Sequence, residues 1–151
     1  MGNDLNKKIG IITFHNSYNC GSMLQAFALQ QVINRLTGRK SEIVDFSNEG
    51  QQKLYSVRQP NDSLKNVIKN IILAPWFKRI ARNYESYERF KKNNFRLSNF
   101  PIHKSADLSD ADYDIVVAGS DQVWNITIED GDDAYFLPWV KLAKKVAYAP
   151  S

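Results

Sequence analysis

The chain has 151 residues, 43% of them hydrophobic, and a formal net charge of +4, enough for one domain with a substantial core and too apolar for a disordered segment. Its single cysteine, Cys20, excludes an internal disulfide and the CxxC and multi-cysteine zinc patterns. No apolar run approaches the roughly 18 to 20 residues that span a bilayer. No secretory signal is expected, because MGNDLNKK carries no apolar stretch before Ile9, and the expected location is the cytoplasm.

Lys8 to Phe14, KIGIITF, reads as a first strand. The loop HNSYNCG leads into a helix expected from Ser22 to about Leu36, where Leu29, Val32, Ile33 and Leu36 repeat at i, i+3, i+4 and i+7, and Gly38 supplies the stop. Ser22 and Gln25 fit a capping box at its start. The loop lacks both GxGxxG and GxxxxGK[ST], which disfavours a nucleotide site of either kind. His15 is a candidate acid or base and Cys20 a candidate nucleophile, yet both stand on one short loop with no evident third partner. Ser41 to Phe46, SEIVDF, is a second strand that completes a parallel, right-handed βαβ unit. Asn48 to Asp62, polar and containing Pro60, is expected to be the least ordered stretch.

The net charge hides an asymmetry. Lys65 to Arg96 holds nine Lys and Arg against Glu85 and Glu88, a local excess of +7, whereas Ser105 to Val140 holds nine Asp and Glu and no cation. Leu64, Val67, Ile68, Ile71 and Ile72 form one apolar helical face with Lys65 and Lys69 off it, Pro75 interrupts the pattern, and a second helix is expected from about Phe77 to Asn93. These basic helices, at 63–96, read as an insertion or outer layer between strands two and three. A solvated face is their first reading. An anionic membrane surface or lipid-linked partner, contacted peripherally, is the second, and nucleic acid is not expected.

The segment YDIVVAGSDQVWN, 113–125, carries the most chemical information. The run Ile115 to Ala118 is that of a strand covered on both faces, and in open α/β sheets ligands bind beyond the carboxyl ends of such strands. Gly119 lets the backbone bend, after which Ser120, Asp121, Gln122, Trp124 and Asn125 offer a hydroxyl, a carboxylate, two amides and an indole. That set suits a hydroxyl-rich ligand, while the plainer reading makes Asp121 a local turn-former and Trp124 a core residue. Asp130, Asp132 and Asp133 read as a solvated acidic turn, His15 and His103 are far apart, and no metal site is indicated. Val146 to Ala149 gives the last strand, and the whole, 1–151, is expected to be a single three-layer α/β domain with a mainly parallel sheet.

Four segments in order, IGIITFHNSYNCGSMLQAFALQ, YDIVVAGSDQVWN, YFLPWV and KKVAYAPS, closely resemble the amino-terminal half of the polysaccharide pyruvyl transferase family. The resemblance covers roughly Lys8 to Ser151, with GSDQVWN its most specific part and Cys20 a departure from the family's usual aromatic residue. It implies an enzyme that moves the enolpyruvyl group of phosphoenolpyruvate onto sugar hydroxyls of a surface polysaccharide or its lipid-linked precursor. It also implies two Rossmann-like halves facing across a GT-B-like cleft, with no cofactor beyond phosphoenolpyruvate as donor substrate. On that reading Asn16, Asn19, Gly21, Ser120, Asp121, Gln122, Trp124 and Asn125 line the acceptor side of the cleft, and Asp121 transfers a proton or orients a sugar hydroxyl. Trp124, Phe136 and Trp139 are expected on the face that meets the other half. The sequence ends at Ser151 just after a strand, so the carboxyl-terminal domain that would hold phosphoenolpyruvate is expected to be missing and this piece inactive alone. A GT-B-like glycosyltransferase half and a non-catalytic glycan-binding module are the alternatives.

Overall fold

The computed structural model describes residues 8–151. Four strands, β1 (Lys8–Ile12), β2 (Ser41–Ile43), β3 (Tyr113–Asp121) and β4 (Lys144–Pro150), form one all-parallel sheet in the order β2-β1-β3-β4. The apolar runs of the sequence sit at its centre, where Ile9, Ile11, Ile12 and Val116 are at most 1% exposed. β3 is longer than its apolar run because backbone pairing continues through Gly119, opposite Tyr148, to Asp121, opposite Pro150. β2 is shorter than expected. Beyond Ile43 the regular ladder ends, leaving the Val44 N–H bonded to the Ile11 carbonyl and isolated bridges from Ile43 to Leu97 and from Phe46 to Ile102.

Helix α1 (Cys20–Thr37) begins two residues before the expected start. Asn19, not Ser22, is the cap: its side chain accepts from the Gly21 backbone N–H at 2.7 Å, satisfying one of the free donors of the first turn. Gly38, at φ 66°, ends the helix as expected. The face that α1 buries also differs from the sequence reading. Met23, Ala26, Leu29 and Gln30 face inward, whereas Val32 and Leu36 are exposed. Gln30 earns its buried place by donating to the Ser41 and Arg96 carbonyls and accepting from the Arg96 N–H.

The stretch expected to be least ordered contains helix α2 (Glu49–Leu54), capped by the Asn48 side chain on the Gln51 N–H. Helix α3 (Leu64–Leu73) then runs through a 3₁₀ turn at Ala74–Trp76, containing Pro75, into α4 (Phe77–Asn94), the break falling where proline removes a donor.

Two clusters fill the core. Ile11, Ala26, Leu29 and Ile43 pack between the sheet and α1. On the other face Ile12, Phe14, Phe46, Val116, Ala118 and Tyr135 pack under the β3–β4 connection, with Phe14 and Phe46 edge-on to the Tyr135 ring. Asp110 fixes the entry to β4: one buried carboxylate oxygen accepts from the backbone N–H groups of Lys141, Leu142 and Ala143. Burial alone would raise the Asp110 carboxyl, but these bonds hold it below the usual carboxylate range. Arg39 grips Asp114 with two 2.8 Å bonds and ties the α1–β2 turn to β3. The architecture is a Rossmann-like α/β unit, and among the described residues no helix is long and apolar enough to cross a membrane.

Candidate functional site

β1 and β3 are neighbours in a parallel sheet, so the loops after their carboxyl ends open on the same edge. Together with α2 these loops bound a cleft of about 430 Å³. Phe14, Leu54 and Ile128 give it apolar walls, and Ser17, Asn19, Ser22, Tyr55, Asp121, Gln122, Thr127, Glu129 and Asp130 its polar groups. Three of those are carboxylic acids, and no Lys or Arg lines the cleft.

Asp121 is the last residue of β3 and has φ 93°, a conformation uncommon outside glycine. Its backbone carbonyl accepts from the Ser151 N–H, and its Oδ1 accepts from the Gln122 N–H at 2.8 Å. Just before it, a Cβ at Gly119 would overlap the Tyr148 carbonyl oxygen, so only glycine lets β3 and β4 run this close below the turn.

Asp130 lies opposite as a buried carboxylic acid. Burial pushes its carboxyl above the usual range, against a hydrogen bond from its own backbone, and the charges of Asp121 and Glu129 push the same way. The acidic turn read as solvated is therefore only partly so. Asp132 caps the following 3₁₀ turn by accepting from the Ala134 N–H at 2.9 Å. Tyr55, just past α2, is raised first by burial and then by the charge of Asp130, against a hydrogen bond with Ser17 and with a smaller push from Asp121, so its phenol keeps its proton. Asn48 holds this wall together, donating from Nδ2 to the carbonyls of Asp130 and Gly131 while capping α2. Gly50 contributes by its size, since a Cβ there would overlap the Glu129 carbonyl oxygen.

His15 is not isolated. It is fully buried beneath the cleft, with Nε2 2.9 Å from Asp45 Oδ1 and Nδ1 3.3 Å from the Thr13 carbonyl. Burial would raise the Asp45 carboxyl, but the hydrogen bond and charge of His15, with Lys91 and His103 further off, hold it below the usual range. With no exposed surface His15 sets the course of the β1–α1 loop and does not reach a substrate. Cys20 is exposed, its Sγ 3.2 Å from the Tyr87 hydroxyl, and it faces an apolar niche between α1 and α4 instead of the cleft.

Helix α4 clamps the same loop from outside. The Tyr18 ring packs on Tyr84 (4.3 Å between centroids), Tyr55 and Tyr87, and its hydroxyl donates to Glu88 at 2.7 Å. Burial, then Glu88, pushes the Tyr18 phenol well above its ordinary value. Lys91 bridges Glu88 and the Asn16 side chain, with Nζ 2.6 Å from Asn16 Oδ1.

Of the eight residues singled out in the sequence, Asn19, Asp121 and Gln122 line the cleft together. Asn16 is taken up by Lys91, and Gly21 lies in the first turn of α1 against the Asn19 cap. Ser120 is buried, its carbonyl accepting from the Thr13 hydroxyl. Trp124 stands beside the cleft, stacked on Phe136 with its Nε1 donating to the Tyr135 carbonyl, and both rings keep an exposed face. Trp139 differs from the expectation of exposure: it packs on the core and donates to the Ala134 carbonyl. Asn125 accepts from the Thr127 N–H and hydroxyl. Sequence reasoning missed Asp130 and Tyr55. A signal existed for the second, because N-x-x-Q at Asn48 and Gln51 marks a helix start that delivers Tyr55 to the cleft.

Among the described residues no cluster of His, Cys, Asp and Glu is arranged to hold a metal ion. A family model described as polysaccharide pyruvyl transferase matches residues 19–151. No curated protein and no solved structure matches the chain.

Proposed function

The chain belongs to the polysaccharide pyruvyl transferase family, and from that premise we propose that its cleft is the acceptor side of a pyruvyl transfer site. The reaction moves the enolpyruvyl group of phosphoenolpyruvate onto the hydroxyls of a surface polysaccharide or its lipid-linked precursor. One sugar hydroxyl adds to C2 of phosphoenolpyruvate as C3 takes a proton; a second hydroxyl then displaces phosphate and closes a cyclic ketal. Such a reaction needs a base for the hydroxyl protons, an acid for the enol carbon, and cations for phosphate and carboxylate.

The observation that carries this reading is the composition of the cleft, which holds three carboxylic acids and no cation. That lining repels a trianionic donor and suits a polyol, whose hydroxyls bond to carboxylates and amides. Asp121 is the proposed base, or orients the attacking hydroxyl. Asp130, raised by burial and by its acidic neighbours, is the candidate to hold a proton beside it. Asn19 and Gln122 fix the sugar through their amides, and the free ring face of Trp124 or Phe136 offers a platform for its C–H face. Asn16, Gly21, Ser120 and Asn125 support the loops that carry these groups. The phosphoenolpyruvate-binding cations come, on this proposal, from a second Rossmann-like half facing this one in a GT-B-like arrangement, in a cytoplasmic enzyme that is inactive without it.

Phosphate release from phosphoenolpyruvate, measured with a panel of acceptor sugars on a protein carrying both halves, tests the reading. Acceptor-dependent release that falls at least about a hundredfold in Asp121→Asn is the expected result. A protein that binds oligosaccharide but ignores phosphoenolpyruvate would overturn it and favour a glycosyltransferase or a glycan-binding module.

A further inference from the structure

Helix α3 is amphipathic in the wrong direction for a core helix. None of its residues is buried, and Leu64, Ile68, Ile71 and Ile72 are all exposed, Ile71 to 68%. Its inner side mixes half-buried Val67 and Leu73 with Asn70, whose Oδ1 accepts from the Gln59 N–H and whose Nδ2 donates to the Gln59 carbonyl and to Asn61. Lys65 and Lys69 flank the outward apolar stripe at about 100° and 140° around the helix from Leu64. At the bend into α4, Trp76 is half exposed beside an open trough of about 700 Å³ that it shares with Arg79, Arg82, Leu73 and Ile80.

From Leu64 to Asn83 there are five cations and no acid, and among the described residues Lys65, Lys69, Lys78, Arg79 and Arg82 have no ion pair. We propose that this α3–α4 corner docks on an anionic phospholipid surface. The isoleucines and Leu64 enter the headgroup boundary, the lysines snorkel beside them, Trp76 sits at the interface, and Arg79 and Arg82 meet lipid phosphates. Charge complementarity argues for this occupant, since the corner presents five cations and no acid. In a second copy Asp110, Asp114 and Asp132 are already bonded within the fold and Asp130 is buried, which leaves Asp107, Asp112, Asp121, Glu129 and Asp133 as the acids that the acidic stretch could still offer. The same helix α4 holds the cleft loop through Tyr84, Tyr87 and Lys91, about 10 to 20 Å further along its axis at 1.5 Å per residue, so docking here keeps the cleft close to the surface.

Co-sedimentation of the 151-residue chain with vesicles tests this, comparing phosphatidylcholine alone with phosphatidylcholine containing about one-third phosphatidylglycerol. Binding to the mixed vesicles only, weakened by salt, is expected, with a tryptophan emission shift that is lost in Trp76→Phe. Ile71→Ser with Ile72→Ser lowers the affinity at least about tenfold. Arg79→Gln with Arg82→Gln lowers it about 25-fold at low salt, near fivefold for each charge. All these side chains are solvent-facing, so circular dichroism of the variants matches the parent. Failure to bind the mixed vesicles, equal binding to neutral ones, or indifference to both double substitutions overturns the proposal. So does a lipid-free dimer in sedimentation velocity that Ile71→Ser with Ile72→Ser abolishes, which would assign the face to a second copy.

Discussion

Strand β1 and helix α3 each carry three isoleucines, and the two sets meet opposite fates. Ile9, Ile11 and Ile12 are enclosed between two neighbouring strands and the layers above and below, whereas Ile68, Ile71 and Ile72 lie on the outside of a helix none of whose residues is buried. Apolar content and period identify an element, but its burial is decided by whether another surface reaches it. The contrast separates a part of the molecule that exists to be stable from a part with surface left to offer.

The comparison can be broken by urea denaturation of matched variants. Ile11→Ala, which opens a cavity between the sheet and α1, should cost about 3 kcal/mol. Asp110→Asn should cost about 2 kcal/mol, because a charged acceptor of three backbone donors is lost at a buried site. Its pH dependence has a definite sign. The Asp110 carboxyl is held below its ordinary value in the folded state, so its contribution is fully present above about pH 4 and is lost as pH falls further; acid titration of the parent should be steeper there than that of Asp110→Asn. Asn19→Ala should cost about 1 kcal/mol through the lost cap of α1. Ile71→Ala should stay within about 0.5 kcal/mol. A cost near that of Ile11→Ala would mean that α3 is covered in solution, and the contrast would collapse.

Much of the frame was legible in the sequence. The continuous apolar runs marked β1, β3 and β4, Gly38 marked the end of α1, and Pro75 the break between α3 and α4. Helix starts were harder, since NCGSMLQ offers two competent caps and only the packed chain selects Asn19 over Ser22. Helix α2 was hidden because EGQQKL has no apolar stripe. The cleft was half legible. Asp121 and Gln122 announced themselves at the end of a strand, but the pairing of His15 with Asp45 and the burial of Asp130 arise between segments tens of residues apart, where local pattern says nothing. The inward and outward faces of α1 and α3 were unreadable for the same reason: the period gives a stripe and leaves its partner open.

The place of β4 at the margin of the sheet has a consequence for handling the protein at high concentration. An outermost strand with a vacant row of backbone donors and acceptors is a template onto which another extended chain can add. Val146, Ala147, Tyr148 and Ala149 favour such growth, and Lys144 and Lys145, both solvent-facing at the strand's start, oppose it by placing like charges against any copy that aligns in register.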